Sequence, residues 1–172
     1  MERVSKVPSQ RSIGGEMFQG LTVHLVNEAV AIVTPMIEQF LGWDRTGGRH
    51  DLYLVVLKPE TEEILYETAF GGPLSEWKHP YNKIALAKAR QCARTGMVGR
   101  TLLRDAPWLI EPGDVRYVGG VVENGLVVAA SGVQDHFDEM ISWMVLSVIQ
   151  GLCRDEVSKF TSDDPDFFGE QN

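Results

Sequence analysis

The 172-residue chain contains only two cysteines, Cys92 and Cys153. Two thiols make no disulfide framework, and no paired Cys/His spacing offers a structural zinc site. Buried, reduced thiols are the expectation, which suits a cytoplasmic compartment. Long apolar runs are missing too: none approaches the roughly 18 residues that cross a membrane. The opening MERVSKVPSQRSIGGEM lacks the apolar core of a secretory signal. Positive charge is scarce, with 16 Lys and Arg against 24 Asp and Glu and a net charge of -8. That balance argues against a nucleic-acid surface, whose footprint is clustered cations. Neither of the common Gly-rich phosphate loops is present, which excludes Rossmann and P-loop nucleotide binding, and no solenoid period appears.

What remains is a chain long enough for one domain with its own core. Residues 1–16 are polar and read as a loose arm, residues 17–158 as the domain, and residues 159–172 as an acidic tail containing DDPDFF. From Leu21, apolar residues recur at Val26, Ala29, Val30, Val33, Ile37 and Phe40. These steps of three and four predict a helix ending near Gly42, with Pro35 expected to kink or break it. Leu52–Leu57 and Ile64–Phe70 flank a polar turn and predict a β-hairpin. YNKIALAKARQCARTG predicts a helix over 81–95 closed by Gly96. Ala85, Leu86, Ala89, Cys92 and Ala93 form its apolar face, with Lys83, Arg90 and Arg94 opposite and Lys88 at the border. TLLRDAPWLIEPGD reads as irregular. A second hairpin turns at Glu123-Asn124-Gly125, because Asn-Gly tolerates the positive φ of a tight turn. The last helix begins near Asp135 as N-cap, with Asp138 and Glu139 suiting the positive end of its dipole. Helices packed on antiparallel hairpins make an α+β fold.

Four segments, in this order, resemble the haem-binding HbpS-like domain, also named for GlcG, which closes PduO-type corrinoid adenosyltransferases. LYLVVLKPETEEILYETAFGGP is similar to the family's strand–turn–strand. YNKIALAKARQCARTG is similar to its A-x-x-K-A-x-T-A helix, with Lys88-Ala89 at the Lys-Ala step. ENGLVVAASGV resembles D-G-x-V-V-G-A-I-G-V, and DHFDEMI the start of the last helix. The likeness spans roughly residues 20–155. It departs where Gln134-Asp135 replaces Ser-Gly after Gly132-Val133, and where Arg90 and Cys92 replace small or hydroxyl side chains. The resemblance implies a sheet of about five antiparallel strands flanked by helices, a homo-oligomer and, for some members, haem or corrinoid binding.

The candidate residues follow from side-chain chemistry and from that likeness. His79, in the loop before the cationic helix, is either a solvated histidine or a ligand to haem iron. Lys88 either snorkels to the surface or enters a pocket and neutralises a carboxylate, from Glu67 or from a ligand, since a buried unpaired lysine is too costly. The first reading is a homo-oligomeric small-molecule-binding protein, with haem or another tetrapyrrole held near His79, Tyr81, Lys88 and Arg94, whose cations suit carboxylate groups. The second is an enzyme on the same scaffold. Lys88, His136 and Glu67 would then act as acid/base groups on a small carboxylated or polyketide-like metabolite. The third is a non-catalytic assembly or adaptor subunit using the acidic tail. Nucleic acid and membrane are not expected as partners.

Overall fold

A computed structural model of the protein describes residues 21–160 and 166–167. The arm at 1–16 and most of the acidic tail lie outside the described residues. Helix α1 (Val23–Phe40) starts at Thr22, whose hydroxyl accepts from the Leu25 amide at 3.1 Å. Pro35 lies inside it without the expected break into two helices. Both Pro35 and Ala31, whose carbonyl loses its usual donor, are exposed, so solvent replaces the missing bond.

Strands β1 (Leu52–Leu57) and β2 (Ile64–Phe70) pair as the first hairpin. Helix α2 (Tyr81–Thr95) ends where the Gly96 amide donates to the Cys92 carbonyl at 2.9 Å. The segment expected to be irregular opens instead as a short helix, α3 (Gly99–Asp105), before a 3₁₀ turn at Pro107–Leu109. Leu102 is the buried anchor of that helix. Strands β3 (Gly120–Glu123) and β4 (Leu126–Ser131) form the second hairpin. Asn124 and Gly125, at φ +48° and +74°, supply its turn. In helix α4 (Asp135–Ser158) the N-cap position falls one residue earlier than expected, on Gln134 rather than Asp135, and the Gln134 side chain makes no capping bond.

The described sheet has four strands, in the order β2-β1-β4-β3, all antiparallel, rather than about five. Alternation along β1 and β4 divides the core. Leu52, Leu54, Val56, Val128 and Ala130 face α1 and α4. Val55, Leu57, Val127 and Ala129 face Ala85, Ala89 and Cys92 of α2. The result is an α+β sandwich of three layers, with the sheet between α1/α4 and α2.

Small residues set the spacing of α2. A Cβ built on Gly120 would lie 2.7 Å from the Cys92 sulfur and 2.9 Å from the Lys88 carbonyl oxygen. The alanine-rich face of α2 thus presses against the backbone at the start of β3. Cys92 is fully buried there, and burial pushes its thiol up to about 12. Since the thiolate is the reactive form, Cys92 is expected to resist DTNB at pH 8 in the folded protein and to react only once urea unfolds it. Two rapidly reacting thiols in the native protein would contradict this packing.

Candidate functional site

Lys88 does not sit at the border of α2. It belongs to the buried face, three residues from Ala85 and four from Cys92, and is 2% exposed. Its ammonium donates to Asp138 Oδ2 at 2.9 Å and to the Ala130 carbonyl at 3.0 Å. The snorkelling alternative is therefore excluded. The partner carboxylate is Asp138, fifty residues away in the first turn of α4, and not Glu67. Glu67 is exposed on β2 and accepts from the Tyr53 hydroxyl at 2.8 Å. Burial first, then that carboxylate, push the Tyr53 phenol up to about 12.

The pair crosses from one layer to the other just before the start of β3. Gly119 makes room for it: at φ +142°, a Cβ there would lie 2.6 Å from Lys88 Nζ and 2.9 Å from Asp138 Cβ. The Gly119 carbonyl accepts from the Ser142 hydroxyl at 2.6 Å and the Ala130 amide at 3.3 Å, tying the approach of β3 to α4 and β4. Asp138 Oδ1 accepts from the Val133 amide at 3.1 Å, so the loop entering α4 folds back on the same carboxylate. Burial pushes the Asp138 carboxyl above the usual carboxylate range, while the Lys88 ammonium and the Val133 amide pull it down. Its neighbour Glu139 is buried as well and pairs with Arg100 at 3.0 Å. Asp138 lies in the first turn of α4 and Glu139 directly follows it, near the positive end of the helix as expected, but both also serve tertiary contacts.

A cavity of about 150 Å³ opens directly on this pair. Arg49, His79, Tyr81 and Tyr117 stand around it, with Ile84, Ser131 and the Gly132-Val133 backbone completing the wall. Arg49 donates to the Val133 carbonyl at 2.6 Å, which holds its guanidinium at the rim. His79 is exposed, its ring 5.7 Å from that of Tyr81, and Tyr81 in turn packs on Trp77 at 5.8 Å. Trp77 is anchored by a bond to the Gly72 carbonyl at 2.8 Å and an edge-on contact with Tyr53. Burial raises the Tyr81 phenol above its ordinary value, keeping it a hydrogen-bond donor at neutral pH.

The structure therefore gathers His79, Tyr81 and Lys88 at one cavity and leaves the other named residues outside it. Arg94 pairs with Asp114 and with Glu111, and donates to the Leu109 carbonyl at 2.9 Å, pinning the loop after α3 to α2. His136 is exposed and packs against Phe137 at 4.4 Å. Lys88, His136 and Glu67 do not converge on one site. Sequence reasoning missed Arg49, Tyr117, Ser131 and the partnership of Asp138. Asp138 had a visible signal, since it shares a helical stripe with Ile141, Ser142 and Val145, all buried. Among the described residues no cluster of metal-ligating side chains occurs, and no helix is long and apolar enough to cross a membrane.

Solved structures share this fold. A double mutant of HbpS from Streptomyces reticuli aligns with TM-score 0.55 and 16% identity over 86% of this chain and 98% of that one. A second HbpS structure gives 0.54 and 16% over 80% and 96%. The Ybr137w protein gives 0.55 and 12% over 78% and 80%. At these identities the likeness establishes the fold. No family model matches the sequence, and no curated protein matches it either.

Removing one member of the buried pair leaves the other charge stranded. Asp138→Asn and Lys88→Met are each expected to cost about 3–5 kcal/mol in urea unfolding, with the double variant costing less than their sum. In Lys88→Met the Asp138 carboxyl loses its main counter-charge and its folded pKa rises further. The native state then holds a proton that the unfolded state has released. Stability must accordingly fall as pH rises from 5 to 7, and more steeply than in the wild type, where burial already raises the Asp138 carboxyl but Lys88 still pulls it down. Additive costs, or a Lys88→Met variant equally stable at both pH values, would contradict the coupling.

Proposed function

We propose that this protein binds a small molecule in the cavity above the Lys88–Asp138 pair, and that it works as a homo-oligomer. The observation carrying this reading is the convergence of four otherwise distant segments on one concave site. These are the loop before β1, the start of α2, the loop before β3 and the link from β4 to α4. Polar and charged side chains converge there with two tyrosine rings, Ile84 and Val133, beside an ionisable group of raised pKa, which is a combination that marks binding sites.

The volume bears on the ligand. Pockets that enclose drug-sized molecules measure about 300–1,000 Å³, whereas this one is about 150 Å³. A tetrapyrrole does not fit inside. The haem reading is thereby confined to the mouth, where the exposed His79 ring beside Tyr81 is the group that would hold iron. The acid/base enzyme reading loses its trio, because His136 and Glu67 lie away from the cavity.

Self-association finds support on the outer face of α1 and α4. Ile32 and Met36 are half exposed there and line, with Met140, Trp143 and Met144, a shallow groove of about 410 Å³. An apolar strip of this kind on a folded monomer marks an interaction surface. Sedimentation at micromolar concentration is expected to show a species larger than the monomer; a pure monomer would retire the oligomer.

Two titrations test the binding site. A set of small alcohols, amides and carboxylates, followed in ¹H–¹⁵N spectra, is expected to shift the Gly132 and Tyr81 amides. Ile84→Trp, which fills the cavity, should abolish those shifts without loss of fold. Shifts mapping only to other surfaces would sink the cavity reading. Haem bound at the mouth gives a saturable Soret band that His79→Ala removes, and a flat titration eliminates that ligand.

A further inference from the structure

Arg49, with its guanidinium N–H groups, lines the cavity together with three hydroxyl-bearing residues, Tyr81, Tyr117 and Ser131. The single carboxylate there, Asp138, is already engaged by the Lys88 ammonium and the Val133 amide. Arg49 can only donate, whereas each hydroxyl can turn its O–H toward an acceptor, so the wall can present several donors to an anionic group. Charge is uneven, with two cations, Arg49 and Lys88, lining the cavity against one carboxylate. The pair cancels itself, which leaves Arg49 as the net charge. Among the described residues no carboxylate lies within ion-pair distance of Arg49; its bond goes to a backbone carbonyl, which leaves the rest of its fork free. A cation without an ion-pair partner at a concave site is notable in a chain of net charge -8.

We propose that the ligand of this cavity is a compact organic carboxylate, its anionic end received by Arg49 and the neighbouring hydroxyls and its carbon end placed against Ile84 and the tyrosine rings. This rests on the reading of the cavity as the binding site and adds the chemical class. Guanidinium and carboxylate match as planar, bidentate partners, and the match strengthens where walls exclude water. Size limits the carbon skeleton, since an apolar cavity of about 150 Å³ takes up a molecule such as benzene. A carboxylate no larger than benzoate fits that limit; nucleotides and fatty acids do not. Ile84 and the aromatic walls favour an organic acid over inorganic phosphate, which has no apolar surface to bury.

Lys88 and Asp138 have a positioning role in this arrangement. The pair forms the floor and holds the Gly132-Val133 backbone through the Val133 amide, and the Val133 carbonyl in turn orients Arg49. The cation that meets the ligand is thus aimed by the cation that does not.

The test is a ¹H–¹⁵N titration of the full chain with benzoate, its neutral counterpart benzamide, and inorganic phosphate. Benzoate should shift the Tyr81, Gly132 and Val133 amides saturably, with benzamide and phosphate far weaker. Arg49→Gln should weaken benzoate about tenfold or more, and Arg49→Lys, which keeps the charge but not the fork, by an intermediate factor. Unfolding curves of both variants confirm that the fold persists. Equal binding of benzamide, or benzoate affinity unchanged in Arg49→Gln, overturns the carboxylate class while leaving the cavity as a binding site. Phosphate shifting the same amides as strongly as benzoate overturns it in favour of an inorganic oxyanion. No cavity shift with any probe removes the carboxylate and, unless another class of probe binds there, the site itself.

Discussion

Everything around the candidate site depends on one buried ion pair. Lys88 comes from the helix on one face of the sheet and Asp138 from a helix on the other, and they meet just before the start of β3 at 2.9 Å. Replacing such a pair with apolar side chains of similar volume often costs little, whereas stranding one partner costs a great deal. Its value is therefore positional. The pair fixes α2 against the first turn of α4, admits only glycine at 119, and gives the loop from β4 a carboxylate to fold onto. Layers that hydrophobic packing alone would leave free to slide are held in one register at this corner.

That constraint also explains why the cavity lies where it does. The sheet contributes a strand end, α2 its first turns, and α4 its N-terminus, so three elements finish near one point and side chains from each remain over to line it. Further supports stand around the pair. Trp77 braces the loop that carries His79, and Arg94 and Gln91 brace the loop that leads to Tyr117, the latter by accepting from the Val115 amide at 3.0 Å. Rigid backing with exposed rims is the arrangement expected of a site that a small molecule enters from solvent.

Local features were readable from the sequence wherever neighbouring residues determine them. The Asn124-Gly125 turn, the span of α2 with its Gly96 stop, and the alternation of β1 all depend on contacts within a few positions. The α+β class and the HbpS-like fold follow from that order of elements. A cation at the border of a helical pattern leaves surface and pocket equally open until its partner is known, and the partner of Lys88 is fifty residues on. Asp138 is silent about that partnership for the same reason: an acid in a first turn has a sufficient local explanation. Two apolar stripes, each interrupted by one charge of opposite sign, are the signature such a pair leaves in a sequence. Arg49 had no comparable signal. It lies in a polar Gly-rich loop, and only the fold brings that loop to the Val133 carbonyl.

The central claim, that a water-excluded Lys88–Asp138 pair forms the floor of the site, is open to direct observation. Lysine-selective ¹H–¹⁵N spectra of side-chain ammonium groups separate protected amines from those exchanging freely with solvent. At neutral pH the account requires one slowly exchanging ammonium signal that disappears in Lys88→Met and moves when a cavity ligand is added. A spectrum in which every lysine exchanges as a surface amine would contradict it.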